Sequence, residues 1–360
     1  MKRKESTNIS RGPRIPGVLP SSRFGEQVVS TGIPSLDSYI GGGIPIGSIC
    51  LLKDTYPCRY GDLVLKCFLA EGAVYNHDLY VASDKVSPKI FGDELPALKK
   101  KAGGNSEEQN EGNVNLNDHS LKIAWRYGVA NPTTPGVVKG QKEAKFEFKK
   151  KTTVSSLGNS NLKTSEVLER KDLMPVKSLE LLKEIAQSVA PFDVSNSSSS
   201  GPKKPVANLI RIGISHCEEQ TLNAQFMMGL RALVRRTNSC AVITVSNCSP
   251  VSKSQELQAE QFVDYIIRLE VILEDKRKSE LGDVDGICDV VKIASANTIK
   301  PNELPRDLGF SFRNKRLTFQ ELHIPPEGEN TTQRESSSRS VNISSGSSCG
   351  ATIRGKSIDF

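Results

Sequence analysis

Residues 30–72 read STGIPSLDSYIGGGIPIGSICLLKDTYPCRYGDLVLKCFLAEG, and the order of residue types in that stretch decides the fold class. Ser30 and Thr31 offer hydroxyls to free backbone amides, and Pro34 suits a first helical turn. Leu36, Tyr39 and Ile40 share one helical face before Gly41, Gly42 and Gly43 end the helix. Residues 49–52, ICLL, form a short apolar run of the kind that fills a parallel strand covered on both sides. A loop over 53–62 then leads into a helix over 63–72, with Leu65, Phe68 and Leu69 facing inward.

Strand, loop and helix in that order is the frame of a phosphate-binding loop. Such a loop needs glycines that let amides close on phosphate, a lysine for the terminal phosphates and a Ser/Thr for magnesium. Here the loop is DTYPCRYGDL, with one glycine, Gly61, and no Gly-Lys-Ser/Thr. Pro57 removes an amide, and Asp54 and Asp62 carry the wrong charge for a triphosphate. The remnant of a nucleotide loop comprises Asp54, Thr55, Arg59, Tyr60 and Gly61.

Further along, LYVAS (79–83) predicts a second buried strand, followed by a short helix around 88–98. Residues 176–190 predict an amphipathic helix with Leu179, Leu182, Ile185, Ala186 and Val189 inward. VANLIRIGIS (206–215), a helix over 220–236 with Leu222, Phe226, Leu230 and Leu233 inward, and CAVITVS (240–246) make a βαβ unit. A parallel sheet with right-handed crossovers follows from it. FVDYIIRL (262–269) and residues 290–293 continue the sheet, and residues 310–313 and 317–322 close it as an antiparallel hairpin around Asn314-Lys315. Inserts are expected at about 99–119, 128–175, 193–205 and 274–286, and disorder at the basic N-terminus 1–11 and the Ser-rich tail 327–360.

Composition bounds the function classes. The chain has 360 residues, 37% hydrophobic, and a net charge of +7, which suits a polyanionic partner and equally an ordinary soluble surface. Eight cysteines lie scattered without a C-x-x-C, and there are four histidines, which argues against a metal site or a disulfide scaffold and fits a reducing compartment. No apolar run approaches the ~20 residues of a membrane span, and the start lacks the apolar core of a signal peptide. The expected location is cytoplasmic and nuclear.

Several residues invite a chemical reading. By resemblance to RecA-like ATPases, Ser215 corresponds to the position of a magnesium-holding acid; Glu218 and Glu219 follow, and fit the start of the next helix better than hydrolysis. Trp125, Arg126 and Tyr127 suit either base stacking or core packing, the second being the simpler reading. No G-x-S-x-G elbow is present. In RecA-like assemblies, which this chain resembles, the loops after the late strands face the ring's centre. That resemblance implies that the loop 247–258, NCSPVSKSQELQ, offers Ser249, Ser252, Lys253 and Ser254 for phosphate contacts that do not read bases. Arg235, Arg236 and residues 276–278 are further basic candidates, each also readable as a solvated charge.

The pattern TG-I-P-SLD-x-x-I-GGG-IP-x-G before an apolar strand resembles the RecA/KaiC-like ATPases up to the loop itself. With the eroded loop, LKIAWRY (121–127) and LHIPPE (322–327), the chain resembles the PAXNEB family, the fourth-subunit proteins of the Elongator complex. That resemblance implies an α/β, RecA-like P-loop NTPase fold, with a mostly parallel central sheet flanked by helices, as a single domain over 12–326. It implies a non-catalytic subunit in a heterohexameric ring with Elongator subunits 5 and 6. The ring would dock on the catalytic Elongator subcomplex, bind tRNA and support carboxymethyl-derived modification of wobble uridine. No cofactor is firmly expected; ATP at ring interfaces is the candidate. The alternatives are an active RecA/KaiC-like hydrolase with an unusual loop and a transcription-associated scaffold.

Overall fold

In the computed structural model the described residues are 15–21, 26–55, 60–83, 87–99, 144–169, 177–193, 208–217, 222–246, 253–272, 284–293 and 304–322. All lie within one compact unit, Met1–His323. The chain enters through β1 (Val18–Pro20) and β2 (Gln27–Val29), turns through helix α1 (Pro34–Tyr39), and returns as β3 (Ile44–Pro45) to form a small antiparallel sheet. Pro34 opens α1 as expected. Gly41, Gly42 and Gly43 follow with φ of 91°, 106° and 139°. A Cβ on Gly43 would stand 2.2 Å from the Val29 carbonyl oxygen, so the turn that feeds the central strand admits only glycine there.

Strand β4 (Ile49–Asp54), helix α2 (Tyr60–Val74) and strand β5 (Asp78–Ser83) come next, then α3 (Pro88–Asp93) and β6 (Leu95–Leu98). Beyond the undescribed 100–143 lie β7 (Phe146–Thr152), α4 (Val154–Leu157), β8 (Leu162–Ser165) and a 3-10 turn, Val167–Glu169. Helix α5 (Lys177–Val189), β9 (Ile210–Cys217), α6 (Ala224–Arg236), β10 (Ser239–Ser246), α7 (Lys253–Glu260) and β11 (Tyr265–Val271) follow. The last strands are β12 (Gly286–Lys292), β13 (Leu308–Arg313) and β14 (Arg316–Glu321).

Among the described residues nine strands form the main sheet, ordered β14-β13-β12-β11-β4-β10-β9-β5-β8. Strand β4 sits in the middle, Cys50 paired with Val242 of β10 on one side and Tyr265 of β11 on the other. Its side chains alternate between two cores, which is why the run reads as continuously apolar. Cys50 and Leu52 pack with Leu65, Phe68 and Leu69 of α2. Ile49 and Leu51 pack on the other face with Leu181 and Ile185 of α5 and Phe226 and Leu230 of α6.

The architecture is thus mixed α/β with helices on both faces, and four expectations need correction. The sheet is mostly parallel, from β11 to β8, and β13 with β14 is the antiparallel hairpin expected, but β12, expected to continue the parallel sheet, is antiparallel to both β11 and β13. A parallel return from β11 needs a crossover long enough to span the sheet, and residues 272–285 carry no apolar helical period to build one. Residues 128–175 are not merely an excursion. Strand β8 extends the main sheet beside β5 and β7 pairs with β6, with Phe146, Val154, Val167 and Leu168 buried. Their polar neighbours hide this because both strands lie at edges, where one side faces water. Residues 95–98, assigned to the helix around 88–98, are strand β6, paired with β7. On α5 the buried row is Leu181, Ile185 and Val189, while Leu179 is half exposed.

The hairpin turn is as expected: Asn314 and Lys315 have φ of 51° and 59°, the geometry that matches strand twist in a two-residue loop. The termini 1–11 and 327–360, the segment 121–127 and nearly all of inserts 99–119 and 193–205 lie outside the described residues.

Candidate functional site at the carboxyl end of the central strand

A helix begins with amides that have no partner inside it, and those of α2 face the end of β4. There the chain supplies its own anion. The Asp54 carboxylate accepts the Gly61 N–H at 2.8 Å and a second bond from the Tyr60 backbone. Asp54 is buried, and burial pushes its pKa up from 3.8 to about 6, against the lowering effect of the two amides and with a smaller push from Asp62.

Asp62, one turn into the frame, is held from the sheet. Its Oδ1 accepts from the Ser215 hydroxyl at 2.7 Å and the Thr244 hydroxyl at 3.4 Å, donors that come from the far ends of β9 and β10. Ser215 therefore serves as a buried donor to the loop's own carboxylate. Glu218 and Glu219 lie outside the described residues.

Thr55 ties the loop to β11: its N–H and hydroxyl donate to the Leu269 carbonyl at 3.0 and 3.2 Å, and its hydroxyl accepts from the Val271 N–H at 3.2 Å. Tyr60 packs on Phe310 with ring centroids 4.6 Å apart. A Cβ on Gly61 would meet Asp54 at 3.4 Å, an ordinary contact. Arg59 lies outside the described residues. The strand's lysine points away from all of this: by β4's alternation Lys53 faces the α5–α6 side, where it is buried and ion-paired with Glu260 of α7. The described donor set does not fit a triphosphate, because a carboxylate of the chain holds the amides a phosphate needs.

The structure places Lys253 and Ser254 in the first turn of α7, not in an open loop; Ser249 and Ser252 lie outside the described residues. Gln, Glu, Leu and Ala are good helix formers, and QELQAE (255–260) carries the helix. Arg236 pairs with buried Asp193 at 2.5 Å. Among the described residues no group of three or more His, Cys, Asp or Glu is placed to hold a metal ion, and Cys50, Cys67, Cys240 and Cys288 are buried thiols with pKa values raised by that burial.

One polar cluster was missed by sequence reasoning. Arg211, fully buried in β9, donates to the carbonyls of Ser30 (2.9 Å) and Phe68 (2.8 Å) and to His77 Nδ1 (3.1 Å), with its guanidinium 4.7 Å from the Phe68 ring centre. Since Nδ1 accepts, Nε2 carries the proton and donates to the Pro16 carbonyl at 2.7 Å. Burial and the Arg211 charge lower the His77 pKa to about 4. Buried Glu71 and Asp37 add compensating negative charge, and Lys145 reaches Glu71 at 2.7 Å. The only trace in sequence is the arginine interrupting LIRIGIS.

Asp37 explains the TG-I-P-SLD pattern. It accepts from the Ser30 hydroxyl (2.5 Å) and from the Thr31 N–H (2.9 Å) and hydroxyl (2.7 Å), while those hydroxyls also receive the Gly32 and Ile33 amides. Comparison with known proteins shows that the PAXNEB protein family matches residues 11–360.

The chain belongs to the PAXNEB family.

It is 29% identical to the Mus musculus protein named Elongator complex protein 4, over 100% of this chain and 93% of that protein. Against the Homo sapiens protein of the same name the identity is 29%, covering 99% and 92%. The Saccharomyces cerevisiae protein so named is 30% identical over 143 residues, 32% of this chain and 31% of that protein. In this PAXNEB chain the TG-I-P-SLD residues shape a turn and its packing: Asp37 gathers Ser30 and Thr31, and its carbonyl accepts the Gly42 N–H at 2.7 Å.

Proposed function

We propose that the chain is a non-catalytic, RecA-like subunit of the Elongator complex, its residues 12–326 forming one domain. In this reading it assembles with subunits 5 and 6 into a heterohexameric ring, docks on the catalytic subcomplex, binds tRNA and supports modification of wobble uridine. It acts in cytoplasm and nucleus. The observation that carries the non-catalytic role is Asp54 seated on the first amides of α2, with Asp62 beside it bound by Ser215 and Thr244. A subunit whose nucleotide seat is closed by its own carboxylates is retained for its surfaces. Membership of the PAXNEB family and relatives named Elongator complex protein 4 support the choice of complex.

The test is mass spectrometry of nucleosides from total tRNA of cells with and without the protein. Loss of the carboxymethyl-derived wobble uridines is expected, and restoration by both the wild-type chain and Asp54→Asn. Unchanged nucleosides overturn the Elongator reading. Restoration by wild type but not by a well-folded Asp54→Asn favours the hydrolase alternative.

A further inference from the structure

At the opposite end of the central strands lies a second concave site, a cleft of about 670 Å³. Gly47 and Ser48, which lead into β4, and Val263 and Asp264, which lead into β11, form its floor. Strand β4 separates it from Asp54 by about 17 Å, at ~3.3 Å per residue. Open α/β sheets place their usual ligand site at the carboxyl ends of the strands; this cleft is at the amino ends.

Its charge is organised around one buried acid. Asp264 accepts the Ile49 N–H at 3.0 Å and lies 2.9 Å from Arg235 and 3.4 Å from Arg231. The two arginines stand four residues apart on α6, so one face of the helix presents both to the cleft. Lys292, at the end of β12, lines the same cleft and donates to the Glu260 carbonyl at 3.0 Å. Burial lowers its pKa, with Asp264 and Glu260 opposing that effect and Arg231 adding to it, so the third cation stands within the field of both Asp264 and Arg231.

The lining carries three cations, Arg231, Arg235 and Lys292, against two acids, Asp264 and Glu26, which leaves one net positive charge. A guanidinium has five donors in a fixed fork that suits the oxygens of a phosphate. Three cationic side chains line the cleft, one more than the oxygens of a lone carboxylate, whereas a phosphate group presents three strong acceptor oxygens. Glu26 and Gln27 line the cleft from a different element, the β2 segment, and are suited to the hydroxyl or amino groups of a ligand rather than to its phosphate. The volume holds more than a bare phosphate.

We infer that this cleft binds a phosphate group, held by Arg231, Arg235 and Lys292, on either a free phosphorylated compound or an RNA backbone. The site is separate from the eroded loop and stands whether or not the chain acts in Elongator.

Two probes separate the sources: inorganic pyrophosphate, by calorimetry, and a single-stranded oligoribonucleotide, by fluorescence anisotropy, each with the full chain at low and moderate salt. The variants are Arg235→Gln with Lys292→Gln, against Lys149→Gln, an exposed lysine of β7 that does not line the cleft. The double variant is expected to weaken binding at least ~10-fold, since each lost contact is a charged hydrogen bond. Lys149→Gln and Asp54→Asn are expected to stay within about twofold. Binding of pyrophosphate with this pattern supports a free phosphate ligand; binding of the oligoribonucleotide alone with this pattern supports a backbone phosphate. Absence of binding by both probes at millimolar concentration, equal binding by the double variant, or an equal loss in Lys149→Gln overturns the inference. Urea unfolding of each variant identifies a loss that comes from misfolding, and in that case Arg235→Lys, which keeps the charge, must retain more affinity than Arg235→Gln.

Discussion

Replacing Asp54 tests the closed loop directly, because alanine and asparagine remove different parts of it. Alanine deletes the acceptor and leaves the Gly61 amide, 2.8 Å from Asp54 Oδ2, without its cap. Loss of an N-terminal cap costs about 0.5–2 kcal/mol. Asparagine keeps a carbonyl oxygen for that amide and removes a buried charge. The acid's folded pKa is about 6 against an ordinary 3.8, so the folded state holds its proton more tightly than the unfolded chain. The stability this contributes is complete below pH ~4 and is lost as pH rises through ~6. At pH 7 the wild type therefore carries the full burden of a buried carboxylate. Asp54→Asn is expected to be at least as stable as wild type at pH 7, with the advantage fading toward pH 4.5, and to exceed Asp54→Ala by about 1–2 kcal/mol. The assay is urea unfolding of the three proteins at half-unit steps from pH 4.5 to 7.5, read as differences from wild type. Taking differences cancels the titration of Asp37, also raised to about 6, and of His77, lowered to about 4. An asparagine variant as unstable as the alanine variant at pH 7, or a difference that is flat with pH, refutes the reasoning.

Two further outcomes are expected of the scaffold. Arg211→Met removes the only cation among the described residues that donates to both the Ser30 and Phe68 carbonyls and leaves Glu71 and Asp37 less compensated. It is expected to cost about 3–5 kcal/mol, or roughly 6–20 °C in a thermal melt; a loss below 1 kcal/mol contradicts the role assigned to the cluster. Lys315→Gly places glycine at φ 59° in the hairpin and is expected to raise stability by up to ~1 kcal/mol in the same urea assay, with a lower value than wild type speaking against the turn geometry.

How much of this was legible beforehand depended on whether the controlling interaction was local. Helix α1 with Pro34 at its start, the three glycines after it, the buried strand β4, the alternation of β9, α6 and β10, and the Asn314-Lys315 turn all follow from near neighbours in sequence. The lack of phosphate-loop chemistry was legible too, since a missing Gly-Lys-Ser/Thr and the presence of Pro57, Asp54 and Asp62 are properties of ten consecutive residues. What Asp54 does was not legible, because its cap forms only when α2 folds back over the end of β4.

The remaining misses share that cause. Strand β8 is four residues of ordinary polarity that become a sheet edge only because β5 offers a row of unpaired backbone groups. Arg211 in LIRIGIS reads as a polar interruption of a strand, and its worth lies in carbonyls 143 and 181 residues away. The basic cleft joins α6, β11 and β12, which no window of sequence contains together. The sequence by itself determined the α/β class, the identity of the family motif and the absence of a phosphate-loop lysine, all carried by short-range pattern. Only the tertiary structure decided the antiparallel course of β12, the carboxylate seated on the α2 amides and the pairing of charges across the sheet, because each depends on contacts between elements far apart in the chain.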